Sequence, residues 1–168
     1  IGFLLIHFNL INYLRNYKII GWATIFFGVL LYFSDKFKVN KTIIKDFKYS
    51  YAFYIGLFQA LSLIPGVSRS GITITAARFL NFSRIDSTKI SFLISIPTLV
   101  AVSVYNLQDL IINKNLELSL LNFLGIFLAS IFSYLTIKLF IQFIEKFSLL
   151  PFVIYRIILG LIIIIYAY

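Results

Sequence analysis

The chain has 168 residues, 61% of them hydrophobic and only 12% charged, where ordinary globular chains carry roughly 45–50% and about 25%; that balance excludes an ordinary soluble domain. With Cys 0 and His 1, disulfides, thiolate metal sites and histidine zinc clusters are excluded too. The net charge of +9 is concentrated between apolar runs, which suits loops facing an anionic leaflet and argues against a nucleic-acid partner.

A bilayer core of about 30 Å and a helical rise of about 1.5 Å per residue leave room for about five or six crossings once loops are subtracted. The expected class is an all-α, polytopic integral membrane protein. The chain begins at Ile1 and contains no Met, so it is expected to be an N-terminally truncated fragment, residues 1–168 forming a single transmembrane domain.

In chain order, Ile1 to Leu14 reads as the tail of a helix, closed by Arg15 and Lys18. Ile19 to Phe33 is a short span that Lys18 and Lys36 can lengthen by snorkelling. The next loop carries Lys36, Lys38, Lys41, Lys45 and Lys48 against Asp35 and Asp46, and the positive-inside rule places it in the cytoplasm. Tyr49 to Ser68 is uncharged, but Pro65 and Gly66 break any helix near its far end. Ser70 to Leu80 continues as a shorter apolar piece, so the broken pair covers about 49–80, and Asn81 to Lys89 reads as a polar link. Later helices are expected over about 90–108, with Pro97 as a kink, 119–146 and 151–168, with Asn113 to Leu118 as a polar turn and Pro151 in a permissive first turn.

The informative stretch is Gly56 to Arg78, GLFQALSLIPGVSRSGITITAAR. A Pro-Gly break in an apolar region frees backbone groups that hydrocarbon cannot satisfy, so such breaks persist only inside protein or beside a wet cavity. Ser68, Arg69, Ser70 and Gly71 follow the break, and Ile72 to Thr75 can start a new helix. Free amides at a helix start, two hydroxyls and a guanidinium make a cradle for phosphate or carboxylate. An intramembrane Arg costs about 2.5–3.5 kcal/mol on insertion scales and is a functional residue by default. The alternative is a loop at the membrane surface with an incidental Arg. On physics alone a transporter of an anionic solute, built on the same broken-helix site, competes with an enzyme, and a non-catalytic lipid-binding protein is a third reading.

PGVSRSG followed by IT closely resembles the second signature of the undecaprenyl pyrophosphate phosphatase family, the bacitracin-resistance membrane phosphatases. GLFQALSLIPG is similar to the family's Gln-containing approach helix, and SFLISIP and LLPFVIYRIILG look like its later helices, in the right order. The resemblance runs from about Tyr49 to the end, with hydropathy-level agreement before that. It implies the C-terminal part of an inverted-repeat fold with a re-entrant broken helical hairpin, in the plasma membrane of a bacterium, and leaves room for a homodimer. The implied reaction hydrolyses undecaprenyl diphosphate to the monophosphate and phosphate, recycling the lipid carrier of cell-wall precursors. A divalent metal ion, Mg or Ca, is implied as well, with its ligands, the nucleophile and the base expected in a preceding Glu-rich part, so the chain by itself is expected to be inactive.

Under that resemblance Arg69 is the catalytic candidate, gripping the terminal phosphate with a planar fork that Lys cannot imitate. Ser68 and Ser70 would offer hydroxyls or amides, Gly71 would let the backbone close on the ligand, and Thr73 would add a hydroxyl, while Pro65 and Gly66 shape the break. Gln59 on the approach helix either orients a metal-bound group or bonds across helices. Arg78 is read as a helix end, Arg156 as snorkelling or pairing with Glu145 and so outside the core site, and His7 as a packed or interfacial residue. No residue of the chain is assigned as a metal ligand.

Overall fold

The structure, a computed structural model, describes residues 15–112 and 120–168. The expectations for Ile1 to Leu14, His7 included, and for Asn113 to Leu118 lie outside the described residues. The described residues form α1 (Tyr17–Asp35), α2 (Ile43–Asp46), α3 (Tyr49–Ala60), a 3₁₀ turn (Leu61–Leu63), α4 (Arg69–Phe79), α5 (Arg84–Ile112), α6 (Leu120–Lys146) and α7 (Leu150–Ala167). Among the described residues four helices are long and apolar enough to cross a membrane, with spans at Tyr17–Asp35, Arg84–Leu107, Asn122–Lys146 and Leu150–Ala167. The protein is therefore an all-α, multi-pass membrane protein.

Helices α3 and α4 are different. At 12 and 11 residues they are about 18 and 16 Å long, too short to cross a core of about 30 Å. The break between them sets Gly66 against Ile20 and Thr24 of α1. Helix α4 is enclosed: every residue from Ile72 to Arg78 is buried. Its Ile74 joins a core with Leu31, Ile144, Leu149 and Val153, while Ala76 and Ala77 join a second core with Ile55, Phe82 and Ile90.

The most extensive helix contact is between α1 and α7, and small residues allow it. A Cβ on Gly21 would lie 2.6 Å from Ile164 Cγ1 and 3.2 Å from Gly160 O, and one on Gly160 would lie 3.0 Å from Gly21 O. Where lipid is as apolar as the side chains, such close backbone approach is what holds helices together. Conversely, Asn122 to Leu139 of α6 is exposed throughout, and only its later part joins the core through Phe140, Phe143 and Ile144.

Helix α5 starts earlier than its apolar run implies. Asn81–Lys89, read as a polar link, instead contains the helix's first turn from Arg84. The reason is a cap: Ser83 Oγ accepts from Asp86 N (3.0 Å), satisfying an orphan first-turn amide. Arg84 is then fixed by both carboxylate oxygens of Asp35, Nε to Oδ1 at 2.6 Å and Nη2 to Oδ2 at 2.9 Å. Asp35 Oδ2 also accepts from Leu149 N (3.3 Å) just ahead of α7. Arg78, only 2% exposed, donates to the carbonyls of Phe82 (2.6 Å), Asp35 (2.8 Å) and Phe37 (2.8 Å). Far from merely marking a helix end, it gathers the backbone ends of α1 and α4.

Asp35→Ala removes the acceptor shared by Arg84 and Leu149 and leaves Arg84 unpaired. The expected loss is about 2–3 kcal/mol, below the 3–5 of a fully buried pair because Arg84 is partly exposed. Reversible unfolding of wild type and variant in the same detergent measures it.

Candidate functional site

The sequence Ile64-Pro65-Gly66-Val67 carries the chain across the break. Gly66 takes φ +92°, a left-handed value that only glycine reaches at low cost. Space makes the same demand, since a Cβ there would lie 2.5 Å from Ile20 O on α1. The Gly66 carbonyl, freed by the break, accepts from Thr24 Oγ1 of α1 (3.2 Å) and from Arg156 Nη2 of α7 (2.9 Å). Thr24 lies about 16 Å along α1 from its Asp35 end, near the middle of a bilayer core.

Beside this junction is a cavity of about 500 Å³. Its polar rim is made by Gly66, Ser68, Ser70, Gly71 and Arg156, and its walls by Leu31, Ile74, Phe140, Phe152, Leu159 and others of α1, α4, α6 and α7. Ser68 caps α4: its Oγ accepts from Gly71 N (3.2 Å) and lies 3.3 Å from Ser70 Oγ. Arg156 is 7% exposed. Only its Nη2 is engaged, and Nε and Nη1 are buried without a hydrogen-bond partner. Nη1 occupies the space over Gly71, where a Cβ would come within 2.8 Å of it. A buried guanidinium with unpartnered donors next to two hydroxyls and a helix start is a preformed anion site.

The structure distributes the expected site residues unevenly. Gly66, Ser68, Ser70 and Gly71 meet at the cavity, with Pro65 half-buried in the turn that leads to it. Arg69 does not line the cavity; it is half-buried between the two serines and, among the described residues, its guanidinium makes no hydrogen bond or ion pair. Thr73 is buried and turned towards α5, bonding to Ser91 Oγ (2.6 Å) and to the Arg69 carbonyl (2.9 Å). Gln59 bonds across helices, Nε2 to Thr98 Oγ1 at 2.6 Å.

Arg156 is the residue that sequence reasoning discounted. Neither snorkelling nor a pair with Glu145 describes it: it is buried and bonded to a backbone carbonyl. The signal was present, because Arg156 is the lone charge in the apolar run from Leu150 to Ala167, and the desolvation argument that singled out Arg69 applies to it equally.

The metal ion does not fit these residues. Among the described residues no three of His, Cys, Asp and Glu gather, and the cavity presents a guanidinium and hydroxyls rather than carboxylates. No step is routed through a metal here.

Comparison with known proteins matches residues 1–162 to the family model described as "Bacitracin resistance protein BacA". The chain is 49% identical over 168 residues to an undecaprenyl-diphosphatase of Pelagibacter ubique, covering 99% of this chain and 65% of that protein. It is 43% identical over 149 residues to an undecaprenyl-diphosphatase of Teredinibacter turnerae, covering 89% of this chain and 56% of that one. An Alcanivorax borkumensis protein of the same name is 42% identical, with 88% and 56% covered. The chain thus spans less than two thirds of the length of these relatives.

Gly66→Ala is expected to lower stability by about 1–3 kcal/mol through the strained φ and the collision with α1. Gly56→Ala, with nothing within 4 Å of its Cβ and a helical position that favours Ala, should leave stability equal or higher. Unfolding of the two variants side by side in detergent checks both.

Proposed function

The chain belongs to the bacitracin resistance protein BacA family, and from that premise we propose that its cavity holds the diphosphate of undecaprenyl diphosphate for hydrolysis to undecaprenyl phosphate. The observation that carries this reading is Arg156, a buried guanidinium with Nε and Nη1 unpartnered at the wall shared with Ser68, Ser70 and Gly71.

Hydrolysis breaks the bond between the terminal phosphorus and the bridging oxygen. Water supplies the new oxygen on the released phosphate, and the lipid leaves as its monophosphate. Such a transfer asks the protein chiefly to position the group and to neutralise its charge. In this reading Arg156 meets the anion from the α7 side. Ser68 and Ser70 donate to its oxygens from the start of α4, whose dipole favours negative charge. Arg69, with no competing partner among the described residues, closes on the terminal phosphate. Gly71 leaves the space that the Arg156 guanidinium occupies. The apolar walls continue from this polar end, as a polyprenyl chain requires. Thr73 and Gln59 act one step back, tying α4 and α3 to α5. The residues that activate water are not among those placed here.

A carrier for an anionic solute would use the same cradle. No observation favours it, and the names of the relatives speak for hydrolysis.

In the full-length protein, Arg156→Gln is expected to cut phosphate release from undecaprenyl diphosphate by about 10²–10³-fold, the usual cost of removing one donor aimed at developing charge. Arg69→Lys should lose most turnover while still inserting in the membrane, because a point charge does not replace the bidentate fork. Near-native release by both variants in detergent would remove the two guanidinia from the reaction.

A further inference from the structure

We propose a second lipid site, distinct from the cavity, that takes an anionic phospholipid on the Lys-rich side of the protein. The site combines a groove of about 350 Å³ with a cluster of lysines. Ile43 and Phe47 of the Lys loop, Ala52 of α3, and Leu93, Ile94 and Pro97 of α5 line the groove. Its walls are apolar, as an acyl chain requires.

Charge sits beside that groove in the chain. Lys45 and Lys48 flank Phe47, and Lys89 precedes Ile90, which also lines the groove; all three lysines are exposed. None forms an ion pair among the described residues, where the salt bridges involve Arg78, Arg84 and Asp35. The acids of the same loop are already engaged. Asp35 is held by Arg84, and Asp46 Oδ2 accepts from Thr42 N (2.8 Å). Lys36 and Lys41, by contrast, lie over the rings of Tyr32 and Tyr51. Lys45, Lys48 and Lys89 therefore keep ammonium groups without an ion-pair partner among the described residues, and with Asp46 and Asp86 as the nearby acids the cluster still carries a net positive charge.

The loop is held in place to present it. Asn40 N and Lys41 N both donate to Asn81 O (3.1 and 3.2 Å), and Ile43 packs on the core of Ile55, Phe82 and Ile90. Ile44 and Tyr49 stand 93% and 96% exposed on this anchored segment, apolar groups at the depth where head groups and acyl chains meet. Basic recesses between transmembrane helices on the cytoplasmic side suit anionic head groups. The groove supplies the complementary acyl seat, which separates a lipid from a free phosphate ion.

The test purifies the protein in nanodiscs of equimolar phosphatidylglycerol and phosphatidylcholine, transfers it to detergent and measures retained lipid by native mass spectrometry. Wild type is expected to retain phosphatidylglycerol several-fold over phosphatidylcholine. The Lys45→Gln, Lys48→Gln, Lys89→Gln triple variant should bring the ratio near one, and the matching Lys→Arg triple should keep the preference. Ala52→Phe and, independently, Leu93→Trp fill the groove and should lower retention while leaving helicity by circular dichroism unchanged. Equal retention of the two lipids by wild type overturns the proposal. So does undiminished preference in the Gln triple, unaffected retention in both folded groove variants, or displacement of the lipid by millimolar inorganic phosphate, which marks a simple ion site.

Discussion

The Gly66 carbonyl, receiving hydrogen bonds from Thr24 and Arg156, is the contact on which the interior arrangement depends. A helix cannot be interrupted in hydrocarbon unless the released backbone groups find partners. Here those partners come from α1 and α7, the two helices whose backbones approach most closely through Gly21 and Gly160. The glycine contact brings α7 near enough for Arg156 to reach the break. The same bond holds the guanidinium with Nη1 over Gly71, at the wall that Ser68 also lines. Fold and site are thus one construction, and neither α1 nor α7 could shift without exposing a polar backbone atom.

The arginines show how one residue type divides its work. Arg78 gives its two terminal nitrogens to three carbonyls and holds Nε 3.8 Å from Asp35 Oδ1, and Arg84 is matched to the same carboxylate. Both are structural, because their bonds go to Asp35 and to the backbone at the ends of α1 and α4. Arg156 keeps two nitrogens unpartnered under burial, and Arg69 keeps its whole fork. Leaving a buried donor unmatched is costly, so a protein that maintains one is organised around something other than its own stability.

Much of this was legible in the sequence. The spans followed from runs of uncharged residues, and the break from Pro65 and Gly66, because hydropathy and proline geometry are local properties. The start of α5 was misplaced since Ser83 and Arg84 look like linker residues until Asp35, distant in sequence, is seen to meet Arg84. Thr73 and Ser70 both follow Arg69 closely, yet only Ser70 reaches the cavity. Which face of a buried helix meets which neighbour is settled by tertiary packing, and no spacing rule on one strand of sequence contains it. Arg156 differs: snorkelling, a pair with Glu145 and a site role are equally open in the sequence, and only its burial and its bond to Gly66 O decide among them.

Helix α6 carries a consequence of its own. Its 27 residues extend about 40 Å, some 10 Å more than the hydrocarbon they cross. A helix that long can reach into the head-group regions with its charged end at Lys138, Glu145 and Lys146 or lean, and the balance between the two varies with membrane thickness. From Asn122 to Leu139 it presents exposed side chains on every face, whereas Phe140 meets Phe92 and Phe152 at ring-centroid distances of 6.0 and 5.2 Å. The inclination of that outer stretch is therefore a property shared with the surrounding bilayer, while its inner end is fixed by an aromatic cluster of which Phe140 and Phe152 also wall the cavity.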